Sequence, residues 1–360
     1  MRDAATVDAG RGRPVPYGAL GRGVPCTPGV RRRGVRGGRI GVATALRIAV
    51  LAGGNSAEAE VSRSSAGGIA AALRTWNHEV AVIELDRELV SALRAFAPDV
   101  VLPMLHGPPG EDGTVQGLLA MLQLPFVGSG VQGSAAAMDK YLAKALFRSE
   151  GINVADDVLI PPGMSAESAA DHVAGRLGDR VVIKPRRQGS ALGVTLLPDG
   201  GDLVAPLREA LEFGGGALVE RYEVGREATV AVLDEHGRQA IALPVIEITV
   251  AHGEWYDYDN RYTPGRSEHI VSAEFPQTRL DEMADIALRA HRCLGLRDLS
   301  RADFVVGDND LFLLEVNALP GMTATSLYPD ACRAVGIDFP ELAERLVLSA
   351  LRRGPERTER

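Results

Sequence analysis

The sequence predicts an α/β chain, α+β overall, and three observations carry that prediction. After Leu46, strand-length apolar runs alternate with helix-length amphipathic runs, the pattern of parallel βαβ units. Further on, the turn G-D-N-D joins two apolar runs, a hairpin signal. No run of 18 apolar residues occurs, so no membrane-spanning helix is expected.

Residues 1–44 are rich in Gly, Pro and Arg and weakly patterned. They are expected to be a disordered extension, an Arg-rich targeting peptide, or an over-extended reading frame with translation starting near Val42. From Leu46, L-R-I-A-V-L-A-G-G reads as a strand running into a glycine turn. A helix follows, with Asn55 or Ser56 as its cap and Glu58 in its first turn. H-E-V-A-V-I-E-L is a strand, V-S-A-L-R-A-F a helix and D-V-V-L-P-M-L-H-G a buried strand. These elements make a first domain over 46–137, with a parallel sheet. The second covers 138–224: a helix in M-D-K-Y-L-A-K-A-L-F, then strands V-V-I-K-P and A-L-V-E-R-Y around a Gly-rich loop and a helix. The third covers 225–350, with several strands, a polar loop from Tyr256 to Glu274, a helix from Leu280 to Leu294, the hairpin and closing helices. Residues 351–360 read as a tail.

Net charge is -8, and residues 1–46 hold nine Arg against Asp3 and Asp8, so the globular part is acidic. That argues against nucleic acid as the main partner. Cys26, Cys293 and Cys332 lack metal-like spacing, which fits a reduced, cytosolic compartment. The chain has 36 Arg but only three Lys: Lys140, Lys144 and Lys184. In so Arg-rich a chain, a Lys marks either a place that needs a compact ammonium or a chance survivor on the surface.

Six stretches carry chemistry. In the hairpin, alternation puts Glu315 and Asn317 on one face, with Asp303 nearly opposite Glu315. Two carboxylates and an amide oxygen in an apolar setting suit a hard cation such as Mg²⁺; the plain alternative is a solvated sheet face. In V-V-I-K-P-R-R-Q-G-S-A-L-G-V, Lys184 ends a strand before a loop that can wrap phosphate, or that is a surface loop only. Lys140 and Lys144 share a helix face. Lys140 is the better anion candidate, and Lys144 reads as a solvated helix residue. L-V-E-R-Y-E-V-G-R-E offers Glu220, Glu223 and Glu227 as partners for an adenosine, or forms a linker. Glu58 either stabilises a helix start or holds a substrate ammonium. The turn after Asn317 exposes backbone N–H groups that suit an oxyanion, within reach of Arg301.

Taken together, G-G-N-S-A-E-A-E-V-S, L-H-G-P-P-G-E-D-G-T-V-Q-G, G-S-G-V-Q-G-S-A-A-A-M-D-K, K-P-R-R-Q-G-S-A-L-G-V, Y-D-Y-D-N-R-Y and L-L-E-V-N-A-L-P-G-M-T resemble the D-alanine–D-alanine ligases of the ATP-grasp superfamily. The resemblance runs in order over about residues 46–350. It implies a three-domain ATP-grasp fold, a homodimer, a cytoplasmic enzyme of peptidoglycan synthesis, and ATP with two Mg²⁺ (or Mn²⁺). It implies no membrane or nucleic-acid partner. ATP would phosphorylate the carboxylate of one D-alanine, and the amine of a second would displace phosphate. By the same resemblance Glu58 holds the first ammonium, and Ser190 and Tyr262 join it to close the flap. His106 lies beside the first substrate. Arg301 and the Gly321 N–H stabilise negative charge, and Ser326, Leu327 and Arg261 receive the second carboxylate. Lys140 and Lys184 bind phosphates, Glu220 and Glu227 the adenosine end, and Asp303, Glu315 and Asn317 the metal ions.

The chain departs from the family's usual pattern in four places: Arg261 stands for Lys, Gln188 for Glu and Ala191 for Ser, and the H-G-P-P-G-E-D-G loop has prolines where a more polar Arg-Gly is common. They leave open a related ATP-grasp D-amino-acid ligase of antibiotic biosynthesis or resistance, with a different acceptor.

Overall fold

A computed structural model describes residues 45–356 except 57, 252–254, 258–259, 262, 264 and 324. Tyr262 therefore lies outside the described residues. The first sheet is built from β1 (Arg47–Ala52), β2 (Glu79–Glu84) and β3 (Val100–Pro103), in the order β2-β1-β3 and all parallel. Helices α1 (Ala59–Arg74) and α2 (Leu89–Phe96) make the crossovers, and α3 (Thr114–Met121) follows. Both faces of β1 are covered, as parallel sheets require. Ile48 and Val50 pack with Ile69, Leu73, Leu342 and Leu346. Ala49 and Leu51 face Leu89, Leu93, Leu119 and Phe126.

Leu342 and Leu346 belong to the last helix, α10 (Phe339–Arg353), so the C-terminal helix closes the first sheet. Asp338 caps that helix through the Glu341 N–H, with Pro340 in the first turn. The helix runs to Arg353, into the stretch that reads as a tail. There Arg353 forms a two-pronged pair with the fully buried Asp298.

The second sheet is antiparallel, β4-β7-β5-β6, from β4 (Asp157–Ile160), β5 (Val181–Pro185), β6 (Thr195–Leu197) and β7 (Ala217–Arg221). Helices α6 (Ala166–Leu177) and α7 (Val204–Glu212) cover one face through Val173 and Leu207. The third sheet runs β11-β10-β8-β12-β13, with β9 (Ile241–Ala242) on β8. Its strands are β8 (Arg226–Asp234), β10 (Ile246–Val250), β11 (Ser267–Val271), β12 (Asp298–Val306) and β13 (Leu311–Asn317). Ala302 and Phe304 turn into a core with Met283 and Ala287 of α8 (Gln277–Cys293). Alternation sends Arg301 and Asp303 to the other face. The helix α9 (Leu327–Ala334) packs Tyr328 into the core shared with the first sheet.

Three local expectations change. The stretch from Tyr256 to Glu274, expected as a polar loop, contains β11, which pairs with β10. The first helix starts at Ala59, so Glu58 is its N-cap residue and neither Asn55 nor Ser56 caps it. The helix through Lys140 is two helices, α4 (Val131–Met138) and α5 (Lys140–Ser149), broken at Asp139. Asp139 caps α5 through the Leu142 N–H and also accepts from Arg186 and Arg187. That fixes the start of α5 to the loop after β5.

Candidate active site

A cleft of about 490 Å³ gathers residues from several stretches of chain. The loop before α1 brings Glu58. The loop after β3 brings His106 and Glu111. The break between α4 and α5 brings Lys140. The loop after β5 brings Gln188 to Ser190. β12 and β13 bring Arg301, Glu315 and Asn317, and the turn beyond brings Gly321, Ser326 and Leu327. Arg261 also lines it.

Glu58 is buried, and the Ser190 hydroxyl donates to its Oε1. Two glycines permit this. A Cβ on Gly107 would lie 3.2 Å from Glu58 Oε2, and one on Gly189 3.3 Å from the same oxygen. Ser190 and Ala191 both hold positive φ, at 46° and 59°, a strained state for residues with side chains. Burial raises the Glu58 carboxyl above its ordinary value, and the charge of Glu111 adds to that. Ser190, His106 and Arg261 offset only part of it. Glu111 accepts from the Gly107 N–H at 2.8 Å and stands 3.9 Å from His106 Nδ1. Burial works against an imidazolium at His106, but the neighbouring Glu111 carboxylate, helped by Glu58, overcomes it and raises its pKa.

The hairpin face is different. Asp303 lies opposite Glu315, and Asn317 opposite Arg301. Arg301 forks onto Asp303 at 2.9 and 2.7 Å, and Thr229 donates to the same carboxylate at 2.6 Å. Lys140 Nζ is 3.1 Å from Glu315 Oε2 and donates to the Gln188 carbonyl at 2.6 Å. Burial alone would raise Glu315, yet Lys140, Lys184 and Arg261 bring it down to about 2. The Asn317 Oδ1 accepts from the Leu319 N–H at 2.9 Å. Protein cations thus already offset the like-charge crowding at this hairpin. No cluster of three His, Cys, Asp or Glu spaced to hold a metal exists among the described residues. Two carboxylates and one amide oxygen nevertheless fit a cation that takes its other oxygens from water and phosphate, as Mg²⁺ does.

At the far turn, Ser326 Oγ accepts from the Thr323 N–H at 3.1 Å and pairs with the Thr323 hydroxyl at 2.7 Å. Arg261 donates to the Tyr256 carbonyl at 3.0 Å and lies over the Tyr256 ring at 4.6 Å. Lys184, Glu220, Glu227 and Asp303 do not line the cleft itself. Lys184 is 2.6 Å from Glu220 Oε2 on the neighbouring strand. Glu227, on β8 opposite Val305, is raised by burial, with Arg261 opposing.

Lys144 is not a solvated helix residue. It is buried and paired with Glu220. Glu111 and His269 also line the cleft, and the sequence reading gave them no role. Glu111 had a readable signal, an acid five residues after His106 in a Gly-Pro-rich loop. His269 had none; its Nδ1 lies 3.1 Å from Asp330, sixty-one residues on.

The D-ala D-ala ligase C-terminus family matches residues 146–348, and the D-ala D-ala ligase N-terminus family residues 90–129. A D-alanine–D-alanine ligase of Desulforudis audaxviator is 44% identical over 308 residues, which is 85% of this chain and 99% of the relative. One from Moorella thermoacetica is 43% identical over 317 residues, with the same coverage. A D-alanine–D-alanine ligase from Bacillus anthracis, solved in complex with ATP, superposes with a TM-score of 0.74 at 30% identity, covering 86% of this chain and 98% of that one. The α/β architecture with its parallel N-terminal sheet is therefore an ATP-grasp fold. With that identity sustained over nearly the whole length of its relatives, the chain belongs to the D-alanine–D-alanine ligase family.

Proposed function

We propose that this chain joins two D-alanines at the expense of ATP, giving D-alanyl-D-alanine for peptidoglycan synthesis. One observation carries the reading: a single cleft holds a buried carboxylate, Glu58, tied to the loop serine Ser190, and faces the charged hairpin of Arg301 and Glu315. An amino acid fits between them, ammonium toward Glu58 and carboxylate toward Arg301. Its carboxylate oxygen attacks the γ-phosphorus, ADP leaves, and an acyl phosphate forms. The second D-alanine enters as the free amine, having lost one proton. Its nitrogen attacks the acyl carbon, and phosphate leaves from the tetrahedral intermediate, taking up the proton that the nitrogen sheds.

The chain's own groups divide this work. Glu58 holds the first ammonium, with His106 beside it and Glu111 orienting that imidazole. Ser190 ties the loop after β5 to Glu58 and closes it over the substrates; Tyr262 is the expected third member. Arg301 and the Gly321 N–H stabilise the charge that builds on the reacting carboxyl. Arg261, Ser326 and the Leu327 N–H receive the second carboxylate. Lys140 and Lys184 meet nucleotide phosphates, and Glu220 and Glu227 the adenosine end. Asp303, Glu315 and Asn317 would hold two Mg²⁺, which would supply positive charge to offset that of the transferred phosphate. We read the three sheets as the centres of three parts, 46–137, 138–224 and 225–350, working in the cytoplasm as a homodimer.

The test is phosphate release from ATP that requires both D-alanine and Mg²⁺, with the dipeptide identified by mass. Release with D-serine or D-lactate as acceptor, and none with D-alanine alone, overturns the acceptor and leaves the ligase class.

A further inference from the structure

The cleft chemistry leaves Lys144 without a task, yet it is the more deeply buried of two lysines that share one carboxylate. Lys144, on α5, reaches Glu220 Oε1 at 2.5 Å, and Lys184, on β5, reaches Oε2 at 2.6 Å. Glu220 itself sits on β7, paired across the sheet with Asp157 on β4 and Val182 on β5. Asp157 lies 3.9 Å from Lys144 and is also paired with Arg148.

The two lysines are not equivalent. The Lys144 side chain is 1% exposed and has a second carboxylate within reach. The Lys184 side chain is 10% exposed and lies one residue before the end of its strand, near the loop that lines the cleft. If Lys184 turns to a phosphate, Glu220 loses one of its two ammoniums. A buried carboxylate stripped of every counter-charge is costly. With Lys144 still in place, the exchange leaves Glu220 neutralised and fixed.

We propose that Lys144 is a positioning residue for nucleotide binding: it holds Glu220 in place permanently, so that Lys184 can trade Glu220 for a phosphate. The inference rests on the reading of Lys184 as a phosphate ligand. Burial and two neighbouring ammoniums are consistent with it: they hold the Glu220 carboxyl down at about 2 despite its desolvation.

The experiment uses the full chain and four proteins: wild type, Lys144→Met, Glu220→Gln and the double variant. Each is followed by steady-state kinetics in ATP and by calorimetry with a non-hydrolysable ATP analogue. Lys144→Met should raise KM for ATP by about 30- to 100-fold, with kcat at saturating ATP within about threefold, because only the exchange at Lys184 becomes costly. In the Glu220→Gln background the same change should move nucleotide affinity less than about threefold, since position 220 no longer carries a charge for Lys144 to compensate when Lys184 turns away. Effects that multiply in the double variant, or an unchanged KM in Lys144→Met, overturn the proposal. Where Lys144→Met fails to fold, the Glu220→Gln pair still decides: a further loss of about 30-fold on adding Lys144→Met overturns it, and equal affinity supports it. A wild type that releases no phosphate with any D-amino acid sinks the ligase reading alone, because the calorimetric coupling between positions 144 and 220 is measured without turnover.

Discussion

Glu58 and Glu220 are both almost fully buried, at 3% and 2% exposure, yet their carboxyl groups titrate in opposite directions. Glu220 is held down at about 2 because two ammoniums of the chain touch it. Glu58 is raised: burial dominates, Glu111 adds repulsion, and Ser190, His106 and Arg261 recover only part. The same side chain in the same degree of burial is thus fully compensated at one place and under-compensated at the other. Desolvation is common to both, so the counter-charge decides. A binding protein can leave a carboxylate short of positive charge where a ligand is to supply it. On the proposed reading an incoming ammonium supplies that charge at Glu58, whereas the fold's own lysines supply it at Glu220.

The largest expected effect comes from erasing the under-compensated member. Glu58→Gln should cost about 2–5 kcal/mol of D-alanine-dependent transition-state binding, a loss of kcat/KM of roughly 30- to 5,000-fold, because one partner of a buried charge pair is gone. The stability arm has the opposite sign. A carboxyl whose folded pKa is raised supports folding below the ordinary Glu value, and that support fades as pH rises through the raised value. At neutral pH Glu58 therefore opposes folding, and Glu58→Gln should melt higher than wild type at pH 7, with the gain vanishing near pH 4. A variant that loses both activity and melting temperature at pH 7 would break the comparison.

Glu220 gives the mirror image. Its depressed pKa contributes stability above the ordinary Glu value, lost as pH falls from there toward about 2. Glu220→Gln should lower stability at pH 7 by on the order of 3 kcal/mol, and the deficit should shrink toward pH 2–3 in denaturant titrations.

How much of this was legible in the sequence follows the range of the interactions. Asp303 opposite Glu315, with Asn317 on the same face, follows from a turn signal and period-two alternation, both local, and the register bears it out. Lys140, Lys144 and Lys184 stood out because every other Lys or Arg position holds Arg. The burial of Lys144 was not legible. A helix-face Lys reads as solvated until a carboxylate 76 residues away closes on it. The closure of the first sheet by α10 was hidden for the same reason; His78 meets Glu344 at 2.7 Å across 266 residues. The start of α1 was misjudged because Asn55 and Ser56 are good cap residues, whereas the structure starts the helix later and puts Glu58 at the cap beside the cleft.

A middle-sized prediction asks whether the position of Glu58 matters as well as its charge. Gly107 holds φ +68°, and a Cβ there would press on Glu58 Oε2 at 3.2 Å. Gly107→Ala should destabilise by about 1–2 kcal/mol through left-handed strain. It should also raise KM for D-alanine while leaving KM for ATP alone. Equal shifts in both would mean that the glycine serves the fold only.

The smallest effect sharpens the comparison at its charged border, where Arg261 acts on Glu58, Glu227 and Glu315 alike. In an Arg-rich chain, Arg at a position where the family usually has Lys raises the question of whether charge suffices there. Arg261 does more than carry charge: it covers the Tyr256 ring at 4.6 Å and donates through Nε to the Tyr256 carbonyl. A lysine keeps the charge but loses the planar stack and the forked donor. Arg261→Lys should therefore cost about 0.5–1 kcal/mol, a two- to fivefold rise in KM for the acceptor D-alanine, with little change in kcat. If KM for the acceptor stays level, charge alone does the work at this border. A fall in kcat of ten-fold or more would place Arg261 among the groups that stabilise the transition state.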